Sequence, residues 1–193
     1  MNSPEPEANP TVLPVKGKCP FPQTSFTVTL EQKISLAFHM DPETWARHTN
    51  PWSVWTRNTV LPLLILAFWS RVWLGWWALV PVAGAILWMW INPRLFAKPK
   101  SIDNWASRAV LGERVWANRD TVPVPVYHRR VPDMLSAVSG IGFIFVIWGV
   151  YALEIWPALF GAAVIYLSKL WFLDRMVWLY RDMEGATPEY QGF

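Results

Sequence analysis

Four apolar segments set as two tight hairpins constrain this chain more than anything else in it. They cover 60–70 with 74–91, then 135–152 with 155–173. The stretches 61–69, 72–92 and 135–153 contain no Asp, Glu, Lys or Arg. A helix crossing the hydrocarbon layer needs about 20 residues, in a range near 17–25, so each segment is a short span. Short spans suffice when the turns and their Trp residues sit among the headgroups. With 53% hydrophobic and 16% charged residues, the chain is also too apolar for an ordinary soluble domain. A soluble bundle of unusually apolar helices is the alternative, but two successive hairpins without a polar face speak against it. The fold class that follows is an all-α integral membrane protein. It has four transmembrane helices, arranged as two hairpins, and short interfacial amphipathic helices.

Tryptophan usage points the same way. Of 15 Trp, a first group surrounds the two short turns: Trp69, Trp73, Trp76, Trp77, Trp148 and Trp156. A second group marks the opposite ends: Trp52, Trp55, Trp88, Trp90, Trp171 and Trp178. Indole is apolar in its ring and wet at its N–H, so it favours the membrane interface. Two belts are what four spans would produce, although large aromatic residues also serve simply as packing.

Positive charge sets the expected orientation. Five Lys or Arg precede residue 61 (Lys16, Lys18, Lys33, Arg47, Arg57), and eight lie in 92–134. Lys169, Arg175 and Arg181 come at the end, and Arg71 alone lies in a short turn. By the positive-inside rule both termini and the central loop face the cytoplasm, and an even number of spans requires the same. The expected location is the cytoplasmic (inner) membrane. A formal net charge of +3 fits anionic lipid headgroups as partners. No nucleic-acid motif is visible.

The parts outside the spans divide as follows. Residues 1–28 form a tail: 1–20 holds Glu5, Glu7, five prolines and no apolar segment, which excludes a signal peptide and predicts disorder. The single Cys19 lies there, so no intrachain disulfide can form. Residues 29–57 hold two interfacial helices. Leu30, Ile34, Ala37 and Phe38 make an apolar stripe over 30–39. Asp41 then caps a second helix, with Pro42 and Glu43 in its first turn, that ends before Asn50-Pro51. The first hairpin occupies 58–91, and Pro81 is expected to kink its second arm. Residues 92–134 form a cytoplasmic loop. Ser101 or Asp103 caps a third interfacial helix running to about Asn118, followed by an extended 122–126. The second hairpin occupies 135–173. Ser136, Ser139, Gly140 and Gly142 on one arm are expected to face Gly161, Ala162 and Ala163 on the other. Residues 174–193 are a cytoplasmic extension that continues the last helix to about Glu184. Residues 115–120 and 177–182 share Val, Trp, Arg and Asp at matching positions, and in so Trp-rich a chain coincidence is the simpler account.

Chemistry has one place to sit, the polar collar at the cytoplasmic interface. Candidate ligand-binding residues are Arg57, Asn92, Arg94, Asn104, Trp105, Arg108 and Arg114. Arginine offers a planar fork of donors that fits phosphate or carboxylate. Simple positive-inside anchoring and local ion pairing is the plainer reading of the same residues. His48, Asp103 and Glu113 are the candidates for acid–base catalysis. Three histidines, none within a span, do not build a haem or di-iron site, and no metal-ligand spacing is present. No phosphate loop or nucleophile elbow occurs either, and no cofactor is indicated. The spans hold no acidic residue, and Lys169 and Arg71 are placed to snorkel. That argues against an ion-coupled carrier.

Four strings carry a family resemblance: 45–57 (WARHTNPWSVWTR), 92–96 (NPRLF), 103–108 (DNWASR) and 110–116 (VLGERVW). Together the chain resembles a family of small bacterial and archaeal integral membrane proteins of unknown function, over about 45–182. The resemblance implies a four-span membrane fold and carries no activity with it. Two functions of different class remain. One is a binding or accessory protein that holds a lipid headgroup, an anionic small molecule or a membrane-protein partner. The other is a membrane-interface enzyme acting on an amphipathic anionic substrate. A small channel or exporter built by self-association is a third, supported only by the Ser and Gly of 136–142.

Overall fold

The computed structural model describes residues 42–119 and 124–184, and these are helical apart from short connections. We number the helices α1 (Pro42–His48), α2 (Pro51–Arg57), α3 (Val60–Trp69), α4 (Arg71–Leu74), α5 (Leu79–Leu95), α6 (Trp105–Ala117), α7 (Arg130–Ala152) and α8 (Ile155–Met183). Tight 3-10 turns at Gly75–Ala78 and Val126–His128 precede α5 and α7. The expected helix over 30–39, the Asp41 cap and the first two residues of the extended 122–126 lie outside the described residues; Val124 and Pro125 lead into a 3-10 turn that Val126 begins.

Among the described residues, three stretches are long and apolar enough to cross a membrane: Pro51–Leu95, Val126–Ala152 and Ile155–Met183. The protein is therefore a membrane protein of all-helical fold. The first stretch is 45 residues long and doubles back. Gly75 provides the reversal, at φ +54°, a conformation that costs glycine little and other residues more. The arm α2–α3 then packs along α5, and the ends of the stretch meet: Asn50 Nδ2 donates to the Ala97 carbonyl at 2.9 Å. The second reversal uses Leu153 in the left-handed region, φ 58°, with the Glu154 N–H closing onto the Gly149 carbonyl at 2.9 Å.

Small residues seat α7 on α8. A Cβ on Gly142 or Gly161 would press the other's carbonyl oxygen, at 2.9 and 2.4 Å, and one on Gly149 would meet the Ala158 nitrogen at 2.4 Å. Gly142 and Gly161 thus meet as their composition predicts. A Cβ on Gly140 would meet nothing within 4 Å beyond its own helix, so Gly140 lies off that seam. Pro81 produces no break, because α5 begins at Leu79 and Pro81 falls in its first turn, where its missing N–H has no helical partner to lose. Pro93 is likewise inside α5, in the last turn before Leu95.

The largest departure from the sequence pattern is α6. Instead of lying on a surface, it is enclosed along most of its length, from Ala106 through Ala117, between α2 and the second half of α8. Its cap is Asn104, whose Oδ1 accepts from the Ser107 N–H at 2.9 Å, not Ser101 or Asp103. Gly112 makes the close approach possible: a Cβ there would lie 1.9 Å from the Met176 carbonyl oxygen. Trp116 is buried in an edge-to-face contact with Phe172. At the reversal end, by contrast, Trp73, Trp76, Trp77, Trp148 and Trp156 stay exposed, as do Trp52, Trp55 and Trp178 at the other.

Candidate functional site

The polar side chains that matter gather where α1, α2, α5, α6 and α8 converge, away from the two reversals. The chain is shaped for this by two short helices in series. Asn50 caps α2, accepting from the Trp52 N–H at 3.0 Å. The Thr49 carbonyl accepts from Ser107 Oγ at 2.5 Å, which ties the α1–α2 corner to α6. That corner points His48, Ser53 and Thr56 at α5.

These side chains form one directed chain of hydrogen bonds. Thr56 Oγ1 donates to the Trp52 carbonyl at 2.6 Å, so it must accept from Asn92 Nδ2 at 2.8 Å. Asn92 therefore turns its Oδ1 toward Ser53, whose hydroxyl donates to it at 3.1 Å. Ser53 has spent its proton, so His48 Nδ1, at 2.9 Å, is the donor. At the other edge of the ring, Arg57 Nη1 lies 3.1 Å from His48 Nε2, and a guanidinium can only donate. Both ends of the chain thus dictate the same neutral Nδ1–H imidazole. Ser53 and Asn92 have no accessible surface, and His48 is buried. Burial first, and then the charge of Arg57, push the His48 imidazole down to about 3. Ser53 is an acceptor toward His48, so this arrangement is not a nucleophile primed by a base.

A second polar pair adjoins the first. Lys169 Nζ donates to Glu113 Oε1 at 2.7 Å, across from α8 to α6, and also sits 4.8 Å from the Phe172 ring centre. Burial alone would raise the Glu113 carboxyl; the charge and hydrogen bond of Lys169, and to a smaller extent the charge of Arg57, bring it below its usual range. The cluster so assembled contains two cations, one carboxylate and a neutral imidazole. Among the described residues, no carboxylate pairs with Arg57; its hydrogen-bond partner is His48.

Of the residues singled out in the sequence, the structure brings together His48, Arg57, Asn92 and Glu113. The others are elsewhere. Arg94 stacks on Trp90 at 4.1 Å and donates to its carbonyl at 2.5 Å. Asn104 is occupied as the α6 cap. Trp105 stacks on Trp55 at 5.9 Å and donates to Asp174 Oδ1 at 3.2 Å. Arg108 pairs with Asp103 on the exposed surface. Arg114 is half-buried on α6, where its carbonyl accepts from Asn118 Nδ2 at 3.0 Å. Ser53, Thr56 and Lys169 belong to the cluster without having been singled out. Among the described residues no group of His, Cys, Asp and Glu could hold a metal ion.

A family model described as a family of unknown function (DUF6653) matches residues 29–192. The chain belongs to that family. No curated protein and no solved structure matches the chain. The matched span includes every residue of the polar cluster and reaches beyond the 45–182 over which the strings carry their resemblance.

Proposed function

We propose that this chain crosses the cytoplasmic membrane four times and that its polar cluster, at the cytoplasmic end, holds an anionic group: the headgroup of a membrane lipid or an anionic small molecule. The crossing pattern is supported by the doubled-back first stretch, by the Trp residues exposed at both ends and by the distribution of Lys and Arg. Depth supports the site. Lys169 is 14 residues beyond Ile155, about 21 Å along the helix axis at 1.5 Å per residue. A reversal at the outer boundary of a hydrocarbon layer about 30 Å thick would put the Glu113–Lys169 pair within its cytoplasmic third. Charges at such depth are costly and favour a functional reading.

One observation carries the proposal: Arg57 is a half-buried cation whose hydrogen-bond partner is a neutral ring, next to an ion pair that already uses the nearby carboxylate. The cluster has one positive charge in excess, and an anion completes it.

Native mass spectrometry of the protein released gently from its own membrane tests this. A reproducible small adduct on the native chain, lost in Arg57→Gln and kept in Arg108→Gln, is the expected result. A bare monomer, an adduct indifferent to Arg57, or a stoichiometric partner protein in place of a small adduct would each overturn it, the last in favour of an accessory subunit.

A further inference from the structure

We propose that His48 is a positioning residue: a neutral acceptor that fixes the Arg57 guanidinium by one nitrogen while leaving its charge and its Nε–Nη2 edge for a two-oxygen anion. This rests on the anion-holding reading above and names the chemistry of that same site.

The argument begins with what else could hold an arginine. A carboxylate would do it more strongly, through two parallel hydrogen bonds, and would cancel the charge in doing so. Water would leave the charge intact but not the orientation. A neutral imidazole does neither: it accepts one hydrogen bond, at 3.1 Å from Nη1, and adds no charge. For this to work the ring must present a lone pair at Nε2 and must not protonate. The chain from Nδ1 to Ser53, Asn92, Thr56 and the Trp52 carbonyl meets the first requirement, because every hydroxyl and amide along it has one remaining role. Burial between α1, α2 and α5 meets the second. The charged groups around the ring are Arg57, Glu113 and Lys169, and the carboxylate among them is taken by Lys169 at 2.7 Å.

The geometry of what remains is specific. An arginine guanidinium presents paired N–H donors at two places, the Nε–Nη2 edge and the Nη1–Nη2 end. With Nη1 engaged, no described residue takes the edge formed by Nε and Nη2, and its two parallel donors match a phosphate or a carboxylate. A single-oxygen ligand or a halide must share one acceptor between the two donors and cannot take both in parallel. The same arrangement explains an expense otherwise without purpose: buried Ser53 and Asn92, with half-buried Thr56, hold one histidine in one tautomer, where an apolar contact between α2 and α5 would pack as well.

Two measurements on the full-length protein test this. In nanodiscs of phosphatidylcholine containing phosphatidylglycerol, the 15N spectrum of His48 should show a neutral Nδ1–H ring from pH 5 to 8. A protonated ring near pH 6, or an Nε2–H ring, would overturn the inference whatever binds. In parallel, retention of phosphatidylglycerol is compared among the native chain, His48→Gln, His48→Glu and Arg57→Lys. Gln accepts without charge and should retain the lipid. Glu, which neutralises the arginine, and Lys, which has no fork, should each lose about tenfold or more in retention, equivalent to about 1.4 kcal/mol. Retention by His48→Glu equal to the native chain would overturn the inference while leaving an Arg57 site. If inorganic phosphate at millimolar concentration displaces the lipid, the fork reads phosphate whatever its source; if it does not, the acyl part contributes to recognition. No lipid retention by the native chain, with the Nδ1–H ring in place, would instead remove the anion-holding reading and the role of the fork with it.

Discussion

At the scale of single residues, the decisive ones are those whose neighbours lie far away in sequence. Gly112 is the sharpest case. It follows from no local rule that a glycine should sit in the middle of α6, where it weakens the helix by about 1 kcal/mol relative to alanine. The reason is across the interface, in the Met176 backbone, which would lie 1.9 Å from any Cβ placed there. Backbone cannot yield as a side-chain tip can. Gly112→Ala should therefore lower stability by about 1–3 kcal/mol despite its gain in helix propensity. Gly140, on α7, has open space around it, and Gly140→Ala should be neutral or mildly stabilising. Thermal unfolding of the two variants in one detergent checks the pair. Equal midpoints would mean that α6 does not press on α8 as described. The polar cluster has the same long-range character. His48, Arg57, Asn92 and Glu113 are conspicuous by type in the sequence, since an Asn at the end of an uncharged 72–92 invites attention. Their meeting is not legible there. It depends on the register of α2 against α5 and of α6 against α8, and register between packed helices is set by side-chain fit, not by periodicity.

At the scale of elements, each reversal is anchored by a feature whose purpose is visible only in three dimensions. Arg71 reads in the sequence as a lone charge reaching for the headgroups. In the structure its Nη2 donates to the carbonyls of Val150 and Tyr151, at 2.7 and 2.8 Å. These belong to the last turn of α7, where helix carbonyls lack internal partners and the helix dipole is negative. One cation thus caps α7 and joins the two hairpins. Arg71→Ala should cost toward the lower end of about 1.5–3 kcal/mol, the range for hydrogen bonds to charged groups, because the site is partly exposed. Hydrogen exchange at 150–154 should accelerate in that variant and less so in Arg71→Lys. Unchanged exchange would mean the link is incidental. The elements themselves were largely readable beforehand. Apolar length gives α5, α7 and α8, the Asn50-Pro51 break gives the α1–α2 corner, and the small residues of 142 and 161 give the α7–α8 seam. The position of α6 was not, because a helix with one charged face can lie on lipid or turn that face toward a partner's charge. Glu113 meets Lys169, and the pattern of a single helix does not contain its partner.

At the scale of the whole molecule, the question is how often the chain crosses the bilayer. A straight helix of 45 residues would be about 68 Å long at 1.5 Å per residue, more than twice the hydrocarbon thickness of about 30 Å. The stretch from Pro51 to Leu95 is not straight: Asn50 reaches Ala97, and Arg47 Nη1 reaches the Arg94 carbonyl at 3.3 Å. Its two ends therefore lie on one side of any membrane that it enters. A hairpin that crosses twice and one that only dips in and returns differ in where Gly75 emerges. Leu153 supplies the reference, because Arg71 holds the first reversal beside the second. In a Cys19→Ser background, single cysteines at Trp76, Glu154, Lys98 and Asp103 can be probed on intact cells with a membrane-impermeant maleimide; Trp76 is exposed beside the Gly75 reversal and leaves its glycine in place. Four crossings require labelling at 76 and 154 without lysis, and at 98 and 103 only after it. Labelling at 154 but not at 76 would mean that the first hairpin stops short of the far surface. The polar cluster would then sit beneath a re-entrant loop, not between spans, while the depth of the Glu113–Lys169 pair, which is counted along α8 from Ile155, would stand.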